Sequence, residues 1–350
     1  MRSALASSTT ACARPDPDGT AGMPAPRGVP SLSRVATSDH DEYLAAFAGL
    51  GLKGFLLARA ERPWEVARGR LASCIVEHGV DGAAWAARGS TAAGTVTVAF
   101  PGSREADLRI DGHGTSQNEL HVWPAGSRVF VVSRRPADWF VVTVATGEGL
   151  PPGLDRPGGA GAWPARADEL DRLRTLATSA LRTCEEAGPC GLASCEAEAL
   201  EEPILAGLAR LAARPRPSPG GGRPRVDRRL VLEQVDALLE KRASEVLYVA
   251  DLCAATGLPE RTLRYVLVGE YGTSPVRLLR DRRLCELRRR LREEESAGAS
   301  LARITAGHGF RHMRSLASDY RRLFGELPSE TRRSAAPRPP EGAPGLHATA

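Results

Sequence analysis

Lysine is almost missing from this chain. Lys53 and Lys241 stand against 45 arginines. The imbalance reads first as a skewed genome composition, and second as chemistry: the positive charge is carried by planar guanidinium groups that suit phosphate and guanine. Aromatic residues make up only 5% of the sequence, so its cores must be built from Leu, Val and Ala. No apolar run approaches the ~18–20 residues of a membrane span. The first fifteen residues hold two arginines and mostly small side chains but no hydrophobic segment of the kind a secretory signal needs. The expectation is a cytoplasmic protein with no membrane partner. Cysteines are few and odd in number, at positions 12, 74, 184, 190, 195, 253 and 285. A chain this long does not need disulfide staples. The C-x5-C-x4-C spacing of Cys184, Cys190 and Cys195 matches no common zinc pattern, so the cysteines read as reduced residues rather than as a metal or redox site.

What is present fits two domains. The 350 residues are 42% apolar and 25% charged, enough to bury ordinary cores. The net charge of +5 is unevenly spread. Arg223 to Arg333 carries 23 basic and 16 acidic residues and stands at +7, while the remainder stands at −2. A basic segment joined to a slightly acidic one suggests that one half meets a polyanion.

Residues 1–38 are rich in Ala, Ser, Pro and Gly, lack apolar periodicity and are expected to be disordered. Residues 39–150 read as a β-rich domain. Strands are expected at Thr95 to Phe100, Asp107 to Ile110, Glu119 to Trp123, Val129 to Ser133 and Trp139 to Val144, separated by Gly, Pro and Asp turns. That spacing suggests a β-sandwich or small barrel. A Gly/Pro loop covers 147–164. Residues 165–213 then form a helical linker, with Leu170, Leu173, Leu176, Ala177 and Leu181 on one face, serving dimerisation or packing on the β-domain. Proline and glycine at 214–225 make a linker. Residues 226–334 read as helices, and 335–350 as a disordered tail.

Within 226–334 one pattern occurs twice. Val249 to Thr256 is a helix broken by Gly257; Leu258 and Pro259 turn the chain; a second helix opens at Glu260 and runs to Gly272. Proline before the first turn and an acid at its start suit a helix N-terminus. In such a helix-turn-helix the second helix enters the major groove. Leu263 and Leu267 hold its inner side, leaving Glu260, Arg261, Arg264 and Tyr265 outward. Arginine can pair bidentately with guanine, and glutamate can accept from cytosine. About 50 residues on, Ser300 caps Leu301 to Ala306, Gly307 and Gly309 surround a turn, and a helix from about His312 to Phe324 follows. Its inner stripe is Leu316, Tyr320 and Leu323; Arg311, His312, Arg314, Ser315 and Ser318 face out. Between the units, residues 274–292 form a long arginine-covered helix. If this rod sets both reading helices on one face, they would enter successive major grooves about 34 Å apart. Arg280, Arg283, Arg321 and Arg322 are the candidates for phosphate contacts.

This segment resembles the AraC/XylS family of bacterial transcription regulators. The resemblance rests on E-R-T-L-R-Y followed by Y-G-T-S-P, then R-R-L, then G-F-R-H, D-Y-R-R-L-F-G-E-L-P-S-E and T-R-R. It covers residues 226–334. Pro259 departs from the usual capping Ser or Thr, and Leu267 and Leu316 from usual aromatics; the lost cap weakens the first reading helix by about 0.5–2 kcal/mol. The resemblance implies an N-terminal sensing or dimerisation domain, often cupin-like, and a C-terminal DNA reader. It also implies double-stranded DNA and RNA polymerase as partners, with a small-molecule effector and a homodimer as further expectations, and an output that is usually activation.

An enzyme would need a constellation in the N-terminal half. The alternative considered is a metal-binding or catalytic cupin-like domain using His113, His121 and Glu119. The histidines stand eight apart, where cupin metal sites use H-x-H. Ser116, His121 and Asp138 are too ordinary to read as a triad. No cofactor and no catalysis are expected. Trp85, Trp123 and Trp139 are read as core in preference to the lining of an apolar pocket.

Overall fold

Alternation along one strand shows how the first half is layered. In the stretch Asp138–Ala145, Trp139 and Val141 enter one buried cluster, while Phe140, Val142 and Val144 enter another on the opposite face, as the two-residue period of a strand requires. The computed structural model describes residues 31–103, 106–115, 118–147, 149–155, 160–214, 226–242, 245–293, 300–310 and 312–335.

Two antiparallel sheets form the N-terminal half. The larger has the order β1 (Ser31–Thr37), β3 (Trp64–Arg70), β4 (Cys74–Val80), β11 (Asp138–Ala145), β6 (Thr95–Pro101), β9 (Glu119–Trp123), β12 (Gly161–Pro164). The smaller has the order β2 (Lys53–Leu56), β5 (Trp85–Ser90), β10 (Arg128–Ser133), β7 (Leu108–Ile110), β8 (His113–Gly114). Between the sheets lie Trp64, Trp85, Trp123 and Trp139, together with Tyr43 of α1 (His40–Ala45) and Phe47 just beyond it. The void left beside Trp123 and Trp139 is about 10 Å³, at the lower bound for a single water. The tryptophans are therefore core, and the space beside Trp123 and Trp139 is filled.

The outer face of the larger sheet is covered by α2 (Ala167–Ala187) and α3 (Ser194–Ala212), through Leu170, Leu173, Ala177, Ile204 and Leu208. A buried carboxylate locks this layer: Glu201 of α3 accepts from the Ser73 and Cys74 amides at 2.7 and 3.0 Å. The outer face of the smaller sheet, through Ala86 and Val132, packs on the C-terminal helices. These are α4 (Arg228–Lys241), α5 (Val249–Thr256), α6 (Glu260–Tyr271), α7 (Pro275–Arg292), α8 (Leu301–Gly307), α9 (Met313–Phe324) and α10 (Pro328–Ala335). The layers thus run helix pair, large sheet, small sheet, helical domain.

Several expectations need correction. The disordered segment expected through residue 38 ends earlier, because Ser31–Thr37 pairs along the whole of β3. This edge strand is mostly exposed, so ladder hydrogen bonds hold it and no apolar pattern announces it. The Gly/Pro loop at 147–164 contains β12, whose Trp163 is buried. Strands β2 to β5 lie at 53–90, outside the segments expected to be strands. Residues 1–30, the linker at 215–225 and the tail at 336–350 lie outside the described residues.

Candidate nucleic-acid interface

Glycine ends the first helix of the first unit. Gly257 takes φ +66°, a left-handed cap that lets the chain turn into α6. Pro259 occupies the N-cap position of α6 with no side-chain hydrogen bond, and its carbonyl accepts from the Thr262 and Leu263 amides instead. Leu263, Val266 and Leu267 are buried. Glu260, Arg261, Arg264 and Tyr265 are exposed on the other side. Arg264 donates to Glu260 Oε1 at 3.2 Å across one turn, and the Arg228 guanidinium lies 5.4 Å from the centre of the Tyr265 ring.

The second unit repeats the plan. Ser300 caps α8 by accepting from the Arg303 amide, Gly309 takes φ +74° and Phe310 is buried. On α9, Leu316, Tyr320 and Leu323 are fully buried. His312, Arg314, Ser315 and Ser318 are exposed. Arg311 lies outside the described residues. The helix is closed from behind by α10, where Tyr320 and Thr331 share a hydrogen bond of 2.8 Å.

The phosphate candidates divide. Arg321 is exposed, free to meet a polyanion. Arg322 is turned inward onto Asp281 of α7, Arg280 pairs with Asp319 of α9, and Arg283 donates to the Leu247 carbonyl at 3.2 Å while lying over Phe310. Asp281 is fully buried; burial pushes its carboxyl up, and Arg322 and Arg277 pull it back. The arginine-rich rod α7 therefore spends much of its charge tying the two units together. The signal for this was the acids Asp281 and Asp319, set among arginines at positions that the sequence reading gave no role.

The metal candidates do not converge. His113 is exposed on β8, while His121 is sealed beside Trp123, and burial lowers its pKa to about 3. Among the described residues, no three His, Cys, Asp or Glu side chains are grouped to hold a metal.

Residues 252–334 match the family model of a helix-turn-helix domain. This stretch is a helix-turn-helix domain of the AraC/XylS type. The AraC/XylS-type domain is 30% identical over 101 residues to the XylDLEGF operon transcriptional activator of Pseudomonas putida, covering 29% of this chain and 32% of that protein. It is 31% identical over 96 residues to a probable thc operon regulatory protein of Rhodococcus erythropolis, covering 27% of this chain and 29% of that protein. The chain thus spans about a third of the length of these relatives. The AraC-like transcriptional activator CuxR is similar at 15% identity, over 73% of this chain and 94% of that one, with a TM-score of 0.39. Among the described residues, no helix is long and apolar enough to cross a membrane.

Proposed function

We propose that this protein is a cytoplasmic, sequence-specific DNA-binding transcription regulator that reads promoter DNA with α6 and α9 and has no enzymatic step. One observation carries the proposal. Two helices of the same length each follow a turn containing a left-handed glycine, bury an apolar stripe and present polar side chains opposite it. In this reading Arg261, Arg264 and Glu260 contact base edges from the first helix. His312, Arg314, Ser315 and Ser318 do so from the second, with Arg311 just before it in sequence, and Tyr265 joins the first set. Arg321 contacts phosphate without sequence preference.

The relatives are named as activators and regulators of operons, which supports activation through RNA polymerase at a promoter. The space beside Trp123 and Trp139 is too small for a small-molecule effector. The effector's place is the cavity of about 730 Å³ at the edge of the sandwich, between α1, the small sheet and α4, lined by Phe47, Leu50, Phe130 and Leu232 with Lys53. The apolar sides of α2 and α3 are used on the large sheet, so these helices could serve a homodimer only through their outward side.

Selection of duplexes from a random pool by the full chain tests the proposal. A reproducible preferred sequence, bound more weakly as salt rises, is the expected result; equal binding of all duplexes contradicts it.

A further inference from the structure

Both reading helices end in a glycine at positive φ, Gly272 at +69° and Gly325 at +79°. Each of these glycines lies against an arginine of the β-sandwich. A methyl group on Gly272 would stand 3.2 Å from Arg134 Nε, and one on Gly325 would stand 2.7 Å from Arg59 Cζ. The guanidinium groups thus sit at the negative ends of the two helix dipoles, where a cation is favoured. The left-handed backbone favours glycine at both positions, and its lack of a side chain lets the arginine tips lie close.

The two arginines belong to one body. Arg59 lies between β2 and β3, and Arg134 between β10 and β11. Arg62, from the first of these loops, donates to the carbonyls of Asp81 and Ala137 at 2.8 and 3.4 Å. The Asp81 amide donates to Ala137 O at 2.8 Å, and the Asp81 carboxylate accepts from Ser133 Oγ and Tyr43 OH, each at 2.8 Å. One end of the sandwich is therefore cross-linked around Asp81. Further contacts seat the helices on it. Phe55 stacks on Tyr271 of α6 with centroids 6.3 Å apart, and the Leu56 amide donates to Cys285 Sγ of α7 at 3.4 Å. The opposite ends of the reading helices, with Arg261, Arg264, Arg314 and Ser315, stay exposed.

We infer that Arg59 and Arg134 are positioning residues, which hold the rear ends of both reading helices on one platform of the sandwich and so fix the spacing at which the two helices meet DNA. The inference rests on the DNA-reading proposal above. The rod α7 already joins the two units; the platform is a second tie in parallel, and it makes the sandwich part of the reading geometry. Neither arginine lies among the proposed DNA-contacting residues; Arg59 is exposed, Arg134 is half-buried with Asp107 Oδ2 3.9 Å from its Nε, and neither belongs to an apolar core.

The test uses the full chain and the variants Arg59→Ala, Arg134→Ala, Arg59→Lys and Arg134→Lys. Without DNA, hydrogen exchange is followed at the Gly325 amide, which donates to Arg321 O, and at the Gly272 amide, which donates to Val268 O. Each alanine variant should speed exchange at its own glycine by about tenfold, because the last turn opens locally, and lysine should restore part of the protection. With a random-duplex pool, the parent should select two blocks of preferred bases at one spacing. The alanine variants should select the same blocks at several spacings, bound about 3–10-fold more weakly than the parent's best duplex. Unchanged exchange in both alanine variants overturns the clamp. Faster exchange with an unchanged single spacing overturns its part in reading DNA. If the parent selects no sequence, the DNA-reading proposal fails and the spacing role fails with it, while the exchange result still decides whether the clamp exists.

Discussion

Arg109 donates from Nε to Glu270 Oε2 at 2.7 Å, joining the small sheet to the last turn of α6. Glu270 is 1% exposed, and its other oxygen has no hydrogen-bond partner. Burial pushes this carboxyl up while Arg109 pulls it back. Arg109→Met should destabilise the protein by about 2–4 kcal/mol at about pH 8, because it strands a buried charge. Without Arg109 the folded-state pKa rises further above its unfolded value, so the folded state takes up the proton first as pH falls. The penalty should therefore shrink towards about pH 5. Urea unfolding of parent and variant at the two pH values measures this; equal penalties would show that Arg109 does not hold the Glu270 charge.

Asp81 should make the β-sandwich less stable as pH rises. Burial pushes its pKa from 3.8 up to about 6, against hydrogen bonds from Tyr43, Ser133 and Trp139 that lower it. Between those values the folded chain keeps a proton that the unfolded chain has lost. The resulting stability is present at low pH and is lost as pH rises through about 6, an effect of up to about 3 kcal/mol. Asp81→Asn keeps the shape and an acceptor for Tyr43. Its stability relative to the parent should rise from about pH 4 to about pH 7. A difference independent of pH would contradict the assignment.

Two adjacent arginines should behave oppositely. Arg321 is exposed, whereas Arg322 holds the buried Asp281. Arg321→Ala should leave the melting temperature nearly unchanged while reducing the salt slope of DNA binding by about one unit. Arg322→Ala should destabilise the helical domain by about 2–4 kcal/mol and weaken DNA binding through folding. Thermal unfolding together with a salt titration of both variants separates the cases; a stability loss in Arg321→Ala would reverse the assignment.

The division between these neighbours marks where the sequence stops being informative. Leu263, Leu267, Leu316, Tyr320 and Leu323 are legible as inner stripes because helical period and glycine turns are local signals. The same locality exposes Arg261, Arg264, Arg314 and Ser315 on the outer faces. Which arginines remain free is decided by acids distant in sequence, such as Asp281 for Arg322, and no local pattern reveals that. Strand β1 is not legible in the sequence because an exposed edge strand lacks apolar alternation. Helix α10, only eight residues long and charged, gave no stripe to read. The seating of the sandwich on the helical domain, through Arg109, Phe55 and Arg59, joins residues far apart in the chain and became visible only in three dimensions.

The central claim is that α6 and α9 each read their own bases. The direct measurement is the base-preference profile of DNA selected by the full chain, by Arg264→Ala and by Arg314→Ala. The parent should show two separate blocks of preference. Each variant should lose preference at about one position in a different block, at a cost of about 1–3 kcal/mol for the affected base, with unfolding unchanged because both side chains are exposed. Identical profiles for all three proteins, or loss in the same block for both variants, would contradict the account.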